Sequence, residues 1–438
     1  MQQEVCVFWF RRDLRLHDNA GLYHALKSGL PVLPIFIFDK NILEKLEDKA
    51  DRRVEFIYNA LADIKSKLEA MGSSLQTYYD TPINAWQNIT RKYTVKMVFT
   101  NHDYEPYAKQ RDEQIGELLN QKGILFSTHK DQVIFEKDEV LKADGTPYTV
   151  YTPYSKVWKA KLTDFYLKPY PTQKYFSNFL KVEPLAAITL AEMGFIPTGK
   201  EFPSTTVASG IIKNYAQTRD IPSVNGTSKL SVHFRFGTVS IREKAAKAKA
   251  ISEKYFNELI WREFYMSILW HYPHVVENAF RSEYDKIQWS NNEEHFAKWC
   301  EGKTGYPMVD AGMRELNETG YMHNRVRMVV ASFLTKHLLI DWRWGEAYFA
   351  QKLLDFELAS NNGGWQWAAG SGVDAASYFR VFNPELQQQK FDPEFKYIRR
   401  WVKEYGTPSY PRPIIDHRIA RERCLKVYQA ALKGDTKK

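Results

Sequence analysis

The chain has 438 residues, a length that predicts two or three domains, each large enough to bury its own core. Hydrophobic residues make up 44% of it, which is typical of a globular protein, and the aromatic content of 15% is high. The formal net charge of +9 is compatible with a polyanionic partner, since clustered Lys and Arg side chains neutralise phosphates.

The cysteines and the hydropathy pattern exclude further classes. Cys6, Cys300 and Cys424 lie far apart and form neither a disulfide framework nor a Cys/His metal motif. No signal sequence and no apolar run long enough to span a bilayer is visible. We therefore expect reduced thiols, a cytoplasmic location, no membrane association and no bound metal.

The first third of the chain alternates strand and helix signals. Val5–Phe10 and Pro31–Phe38 are continuous apolar runs, as expected of strands buried on both faces of a sheet. Residues 53–71 carry apolar side chains at helical spacing, and two further short strands are predicted at 74–79 and 96–100. This alternation predicts an N-terminal domain of α/β class, a doubly wound parallel sheet of Rossmann-like type, over residues 1–130.

Polar residues follow several of these predicted strands, at the sheet edge where such domains bind ligands. They are the run RRDLR after the first strand, Asp39 after the second, and Asp103 and Glu105 after a later one. No GxGxxG or P-loop motif follows any strand, which argues against a conventional dinucleotide or nucleoside triphosphate site. The arginine-rich run is equally compatible with a structural cluster of ion pairs.

Residues 131–204, rich in proline and aromatic residues, are predicted to be an inter-domain connector, and residues 205–438 an all-helical domain. Within the helical part, Gly226–Ser231 (GTSKLS) offers hydroxyl groups, a lysine and backbone amides that can hold phosphates. Thr and Ser at helix starts are also ordinary caps. Tyr215 and Arg219 precede this segment on one predicted helix face.

Two predicted helices carry polar and aromatic residues together on one face. Glu258, Trp261 and Arg262 share a face in NELIWREFY, which favours the wall of a pocket over a solvated face. Asn324 and Met328 share a face with Arg327, whose guanidinium is suited to pair with a buried carboxylate.

The stretch 353–384 combines carboxylates, amides, a Gly-Gly pair and two tryptophans. Glycine lets a ligand approach the backbone closely, and tryptophan offers a flat face for stacking on rings. The combination indicates a site for a large aromatic ligand. The alternative is a turn between two core helices, with Trp365 and Trp367 as ordinary core residues.

These segments together resemble the photolyase/cryptochrome flavoproteins, and most closely the class I type that repairs cyclobutane pyrimidine dimers in DNA. The resemblance spans nearly the whole chain, in the family's order, and its motifs are FWFRRDLRLHDN, GTSKLS, NELIWREFY, EGKTGYPMVDAGMREL, GYMHNRVRMVVASFLTKHLLIDWR and NNGGWQWAAGSGVDAASYFRVFNP. It implies an enzyme, a deoxyribodipyrimidine photo-lyase, acting as a monomer on UV-damaged DNA.

The resemblance also assigns site residues. FAD, active in its reduced form, would contact Tyr215, Thr227, Ser228, Lys229, Leu230, Ser231, Arg262, Arg327, Asp355, Glu357 and Asn361. A flipped-out dimer would meet the catalytic residues Glu258, Trp261, Asn324, Met328 and Trp367. Electrons would reach the flavin through Trp289, Trp342 and Trp365, and the DNA backbone would lie near Arg325 and Arg380.

A second, antenna chromophore is implied as well, either a deazaflavin or a reduced folate, near Asp39, Arg53, Asp103 and Glu105. The alternative function is a cryptochrome-type blue-light photoreceptor with the same flavin site. Asn361 and the WREFY and HNR segments favour the repair enzyme. An ordinary flavin oxidoreductase is a third possibility, but the chain shows no nicotinamide site.

Overall fold

The computed structural model describes residues 3–433, and it divides into two compact units, each built from several chain segments. Unit 1 comprises residues 1–136, 161–206 and 229–250, and unit 2 comprises residues 137–160, 207–228 and 251–438. The predicted connector, 131–204, is thus divided between the two units.

The strands in chain order are β1 (Glu4–Phe10), β2 (Val32–Asp39), β3 (Gln76–Asp80), β4 (Thr94–Asn101) and β5 (Leu125–His129). The helices are α1 (Ala20–Leu26), α2 (Lys40–Leu43), α3 (Arg52–Glu69), α4 (Pro82–Lys92), α5 (Pro106–Gln121), α6 (Tyr151–Lys161), α7 (Asp164–Leu167), α8 (Ser209–Lys213), α9 (Tyr215–Thr218), α10 (Ser231–Phe236), α11 (Ile241–Ile251), α12 (Glu253–His271), α13 (Glu293–Glu301), α14 (Pro307–Thr319), α15 (Asn324–Ser332), α16 (Trp342–Lys352), α17 (Leu358–Ala369), α18 (Pro384–Phe391), α19 (Lys396–Trp401) and α20 (His417–Lys433).

Unit 1 contains a five-stranded parallel sheet in the order β3-β2-β1-β4-β5. All eight residues of β2 and six of the seven in β1 are buried, which confirms that both apolar runs are central strands covered on both faces. The strand order reverses direction between β1 and β4. By the general rule for such sheets, a ligand crevice would open at their carboxyl ends.

The arginine-rich run after β1 builds a buried network of ion pairs. The Arg15 and Arg242 guanidinium groups each lie 2.8 Å from the Asp131 carboxylate, and Arg242 also lies 2.9 Å from Asp18. Burial raises the pKa of Asp131, but the two guanidinium groups outweigh burial and lower it to about 2. For Arg15 in this run, the interpretation as part of a structural cluster of ion pairs is therefore the correct one.

Helices are the main regular elements of unit 2, and its main hydrophobic core is formed by residues of α13 to α19 and of the loops between them. A π-helical turn, Phe333–His337, follows α15 directly. No helix within residues 3–433 is long and apolar enough to cross a lipid bilayer. The predicted fold class, an α/β sheet domain followed by a helical domain, is confirmed.

Candidate functional site

Two arginine–carboxylate pairs form a polar wall in unit 2. Arg327 of α15 lies 3.0 Å from the Asp355 carboxylate and also donates to the backbone carbonyl of Met322 at 2.7 Å. Arg262 of α12 lies 2.9 Å from Glu357, and both carboxylate side chains are only 7% exposed. The Asp355 carboxylate raises the pKa of Arg327 despite burial, which opposes that shift. Helices distant in the chain thus converge on the short segment before α17.

Two asparagines at the start of α17 bind to one residue of α16. The Asn361 side-chain amide donates to the Glu346 backbone carbonyl at 3.1 Å, and the Asn362 amide donates to the Glu346 carboxyl at 3.0 Å. Burial raises the pKa of Glu346 from 4.5 to about 7. Sequence analysis does not identify Glu346 as a candidate, because a single carboxylate within a helix forms no motif with its neighbours.

This shift predicts a pH-dependent stability. A carboxyl whose pKa is higher in the folded than in the unfolded state stabilises the folded state at a pH below its unfolded-state pKa. This stabilisation is lost as the pH rises through the folded-state pKa. The effect is at most about 3 kcal/mol between roughly pH 5 and pH 8. Wild type should lose stability over this range relative to Glu346→Gln, which resembles the protonated acid. Denaturant unfolding at a series of pH values, at constant ionic strength, measures the difference.

The control for this experiment is Glu294→Gln. Glu294 lies on the exposed face of α13 in an ion pair with Lys298. The hydrogen bond from Lys298 lowers the pKa of Glu294, so the contribution of Glu294 to stability changes only at a pH below the tested range. Parallel pH profiles for wild type and Glu346→Gln would contradict the expected effect.

The Gly-Gly pair in α17 has two different environments. A Cβ built on Gly363 would lie 2.2 Å from the Tyr265 ring, so Gly363 allows close packing of two elements. A Cβ built on Gly364 would meet nothing within 4 Å, so open space adjoins the helix backbone there. Glycine inside a helix costs about 0.5–1 kcal/mol relative to alanine. A glycine facing open space, one turn after Asn361, fits the close approach of a flat ligand such as a flavin ring.

The predicted phosphate segment is divided between the two units. In unit 2, the Thr227 hydroxyl lies 3.3 Å from the Tyr321 hydroxyl, and the Ser228 hydroxyl accepts a hydrogen bond from Tyr255 at 3.1 Å. The Tyr255 ring packs edge-on against Tyr215, 5.1 Å between centroids. In unit 1, Lys229 has a left-handed backbone with φ of 53°, Leu230 is buried, and Ser231 begins α10.

Trp261 of α12 has one face covered. The Tyr151 ring stacks on it with centroids 3.7 Å apart and planes 5° from parallel. Tyr151 is itself fixed, since its hydroxyl donates to the Asn257 carbonyl at 2.9 Å and its backbone N–H donates to Asp374 at 3.2 Å. Only the other face of the indole remains for a ligand. The sequence does not reveal Tyr151, because this contact joins residues 110 positions apart and leaves no local periodicity.

The other predicted substrate residues lie on helices that pack together. Helix α17, which carries Trp367, packs against both α12 and α15. Glu258 of α12 forms an ion pair with Arg219. Asn324 is exposed at the start of α15, and Met328 is half-buried one turn later.

The three predicted electron-transfer tryptophans all lie in unit 2. Trp365 and Trp342 are 2% and 1% exposed, so neither is in contact with bulk water. Gly345 lies one turn after Trp342 in α16, and a Cβ built on it would lie 2.1 Å from the Trp365 ring. The helix that carries Trp342 is therefore in direct contact with Trp365. The Trp289 ring is partly buried, and its centroid lies 6.1 Å from that of Tyr428.

A fourth tryptophan, Trp299, also adjoins this group. Its ring centroid lies 6.1 Å from that of Trp365, and the residue is fully buried. Its indole N–H donates to the Val330 carbonyl at 3.2 Å. The sequence around Trp299 offers no signal that separates it from an ordinary core residue.

The two predicted DNA-contacting arginines differ in their surroundings. Arg325 lies 2.8 Å from Asp220, and its guanidinium lies over the Phe391 ring, 4.4 Å from the centroid. Arg380 is exposed and lies in a segment without helix or strand. Its guanidinium lies 5.6 Å from the centroid of Phe382.

In unit 1 the four predicted antenna residues fall into three groups. Asp39 accepts a hydrogen bond from the Tyr107 hydroxyl at 2.5 Å, and burial raises the pKa of Asp39. Arg53 pairs with Asp51 at the start of α3. Asp103 and Glu105 share the guanidinium of Arg12, at 3.0 and 3.2 Å.

The cavities in unit 1 differ in volume and in their distance from these antenna residues. The cavity around Arg12 and Asp103, at the ends of β1 and β4, has a volume of only about 10 Å³. A water molecule needs about that much, so this crevice is filled by the ion pairs. A larger cleft in unit 1, about 770 Å³, lies against the face of α3 that carries Phe56, Ile64 and Lys67. None of the four predicted antenna residues lines it.

Comparisons with known proteins match this architecture. The family description "DNA photolyase" matches residues 6–174, and "FAD binding domain of DNA photolyase" matches residues 255–408. A deoxyribodipyrimidine photo-lyase of Synechococcus is 36% identical, with 96% of each chain aligned. These matches define a flavoprotein class in which an α/β part is followed by a helical FAD-binding part.

Solved structures agree with this class. A bacterial class III photolyase from Agrobacterium tumefaciens is 32% identical, with a TM-score of 0.88 and 99% and 98% of the two chains covered. An archaeal photolyase from Sulfolobus tokodaii, solved with two FAD molecules, is 34% identical with a TM-score of 0.81, covering 98% of this chain and all of the other. The chain belongs to the DNA photolyase family, and the predicted resemblance is confirmed.

Proposed function

We infer that the protein is a DNA photolyase that repairs cyclobutane pyrimidine dimers in a light-driven reaction. The observation that carries this inference is the composition of α17. One helix of twelve residues presents an amide and an open glycine for a ring, a buried tryptophan in contact with α16, and a half-buried tryptophan two residues further on. A photoreceptor that only signals has no use for the third feature, whereas repair by reduced flavin needs the first and the third.

The residues of unit 2 fit FAD. The ion-paired carboxylates Asp355 and Glu357 and the Asn361 amide would hold the flavin ring, and Thr227 and Ser228 with Tyr215 would hold the phosphates. When bound and reduced, FAD supplies on illumination the electron that splits the cyclobutane ring and receives it back, so that the reaction causes no net redox change. The protein contributes position and the exclusion of water.

The substrate is proposed to enter as an extruded dimer. Extrusion of the damaged bases is the means by which photolyases, like glycosylases and methyltransferases, reach atoms inside a duplex. The free face of Trp261 and the Trp367 ring would sandwich the dimer. Glu258, Asn324 and Met328 would contact its polar edge and its methyl groups, with Arg325 and Arg380 on the phosphates.

The remaining assignments follow from the same proposal. Trp289, Trp342 and Trp365 would conduct electrons from the surface to the flavin site. A second chromophore, a deazaflavin or a reduced folate, would bind in unit 1 near Asp39, Arg53, Asp103 and Glu105. We propose a cytoplasmic monomer, in line with the three free cysteines of the structure.

The decisive experiment measures dimer repair in light and in darkness. Reduced protein is incubated with a duplex containing one thymine dimer, and restored thymines are counted. Illuminated samples should regain thymines in many turnovers per protein, and dark samples none. Photoreduction of the flavin in a separate oxidised sample, with no thymines restored by the reduced one, would favour the cryptochrome-type photoreceptor. Restoration in darkness would exclude a photolyase.

A further inference from the structure

Lys336 is a lysine buried in unit 2 without a carboxylate partner among residues 3–433. It lies in the π-helical turn Phe333–His337 and is only 1% exposed. Its ammonium group donates one hydrogen bond, at 3.0 Å, to the backbone carbonyl of Arg380. Helical turns of the π type are rare and are often found at functional sites.

This arrangement is costly for folding. A buried ammonium loses its hydration, and a single neutral carbonyl replaces only part of it. Burial accordingly lowers the pKa of Lys336 to about 8, with the nearby Arg380 lowering it further and the Cys424 thiol opposing the shift. A methionine of similar length would fill the same space without this cost. A lysine at this position is therefore better explained by a role other than stability.

The acceptor of this hydrogen bond belongs to the segment 371–383, which has no helix or strand of its own. Contacts with distant residues also hold the segment on either side of Arg380. The Asp374 carboxylate accepts from the Tyr151 backbone N–H at 3.2 Å, and the Tyr378 ring lies 6.1 Å from Tyr428 with planes 14° from parallel. Lys336 bonds the carbonyl of Arg380, whose side chain is exposed, from outside the segment.

We propose that Lys336 is a positioning residue for DNA binding, which fixes the backbone of Arg380 so that its exposed guanidinium meets a DNA phosphate. This proposal rests on the proposed function, because it requires that Arg380 contacts the damaged strand. The Lys336 donor supplements two local hydrogen bonds, from the Arg380 N–H to Ser377 at 2.9 Å and from the Val381 N–H to Phe379 at 3.1 Å, which join only neighbouring residues of the segment. Lys336 touches neither DNA nor flavin and acts through Arg380 alone.

A double-mutant cycle tests the proposal. Affinity for a dimer-containing duplex is measured at several salt concentrations for wild type, Lys336→Met, Arg380→Gln and the double variant. Each single variant should bind about tenfold more weakly and should reduce the slope of log K against log salt by about one, as expected when one phosphate contact is lost. The double variant should bind like Arg380→Gln alone, because both substitutions remove the same contact.

Measurements of stability distinguish a positioning role of Lys336 from a general contribution of Lys336 to the stability of the fold. Lys336→Met should unfold at the same temperature as wild type or higher, and its flavin photoreduction should be unchanged. Lys298→Met, on the exposed face of α13, removes the same charge and should alter neither affinity nor salt slope. If Lys336→Met does not fold, Lys336→Gln, with a shorter donor, takes its place in the cycle.

Three results would overturn the proposal. They are additive losses in the double variant, a fall in stability that parallels the loss of affinity, and an Arg380→Gln variant that binds like wild type. The last result would remove Arg380 from the DNA interface and leave the proposed function standing, provided that wild type still restores thymines in light. Absence of repair by wild type would instead remove the proposed function.

Discussion

Replacement of Trp365 by phenylalanine is expected to slow photoreduction of the oxidised flavin at least about a hundredfold, equivalent to roughly 3 kcal/mol in activation free energy. Trp365 is the buried tryptophan of α17, and α16 packs directly against its ring. Phenylalanine is harder to oxidise than tryptophan, so electron transfer stops at this step. Repair by protein that has been reduced chemically should be nearly unchanged, because dimer splitting does not use this route.

The structure offers a close control for this variant. The indole N–H of Trp365 is buried and has no hydrogen-bond partner among the described residues, and the same is true of Trp401 in α19. Phenylalanine at either position therefore removes the same atoms and no hydrogen bond. Trp401→Phe should photoreduce like wild type, and Trp289→Phe should be slow. A fast Trp365→Phe variant would show that electrons reach the flavin by another route, for which Trp299 is the nearest candidate.

Replacement of Trp261 by alanine is expected to weaken binding of dimer-containing duplex about 5- to 150-fold, since stacking of a base on an aromatic side chain is worth roughly 1–3 kcal/mol. Affinity for undamaged duplex should hardly change, because that binding comes from phosphate contacts. The ratio of the two affinities, measured at one salt concentration, is the quantity to follow. Photoreduction of the flavin should be normal.

Trp270 provides the matched control for Trp261. It lies on the same helix, α12, and its ring contacts the Lys137 ammonium group at 5.2 Å. Trp270→Ala should leave the ratio of affinities unchanged. An equal loss of affinity for damaged and undamaged DNA in Trp261→Ala would contradict a stacking role and indicate a general distortion of α12, to which the loss of the Tyr151 stack could contribute.

Much of unit 1 could be predicted from the sequence, because buried parallel strands leave unbroken apolar runs. The runs at Val5–Phe10 and Pro31–Phe38 correspond to β1 and β2 within one residue at each end. Strand β5 is not predicted, because it lies at the sheet edge, where its residues are exposed or half-buried and need no continuous apolar pattern.

Candidate site residues could be predicted from the sequence where they share a helix face or a motif. Glu258 and Trp261 belong to such a set, and so do Asn324 and Met328. Tyr151, Glu346 and Lys336 could not, because their contacts join them to residues outside their own local sequence. Nothing in the local sequence separates a buried lysine in FLTKH from the exposed lysine that such a segment ordinarily carries.

Each of the two units is built from separate segments that alternate along the chain, and this has a consequence for synthesis of the protein. The chain passes from one unit to the other after residues 136, 160, 206, 228 and 250. Unit 1 therefore lacks part of its chain until residue 250 has left the ribosome, although its sheet is complete by residue 129. Arg242, which neutralises the buried Asp18 and Asp131, belongs to this last segment. Nascent chains shorter than about 250 residues should consequently be the form most exposed to proteases and chaperones.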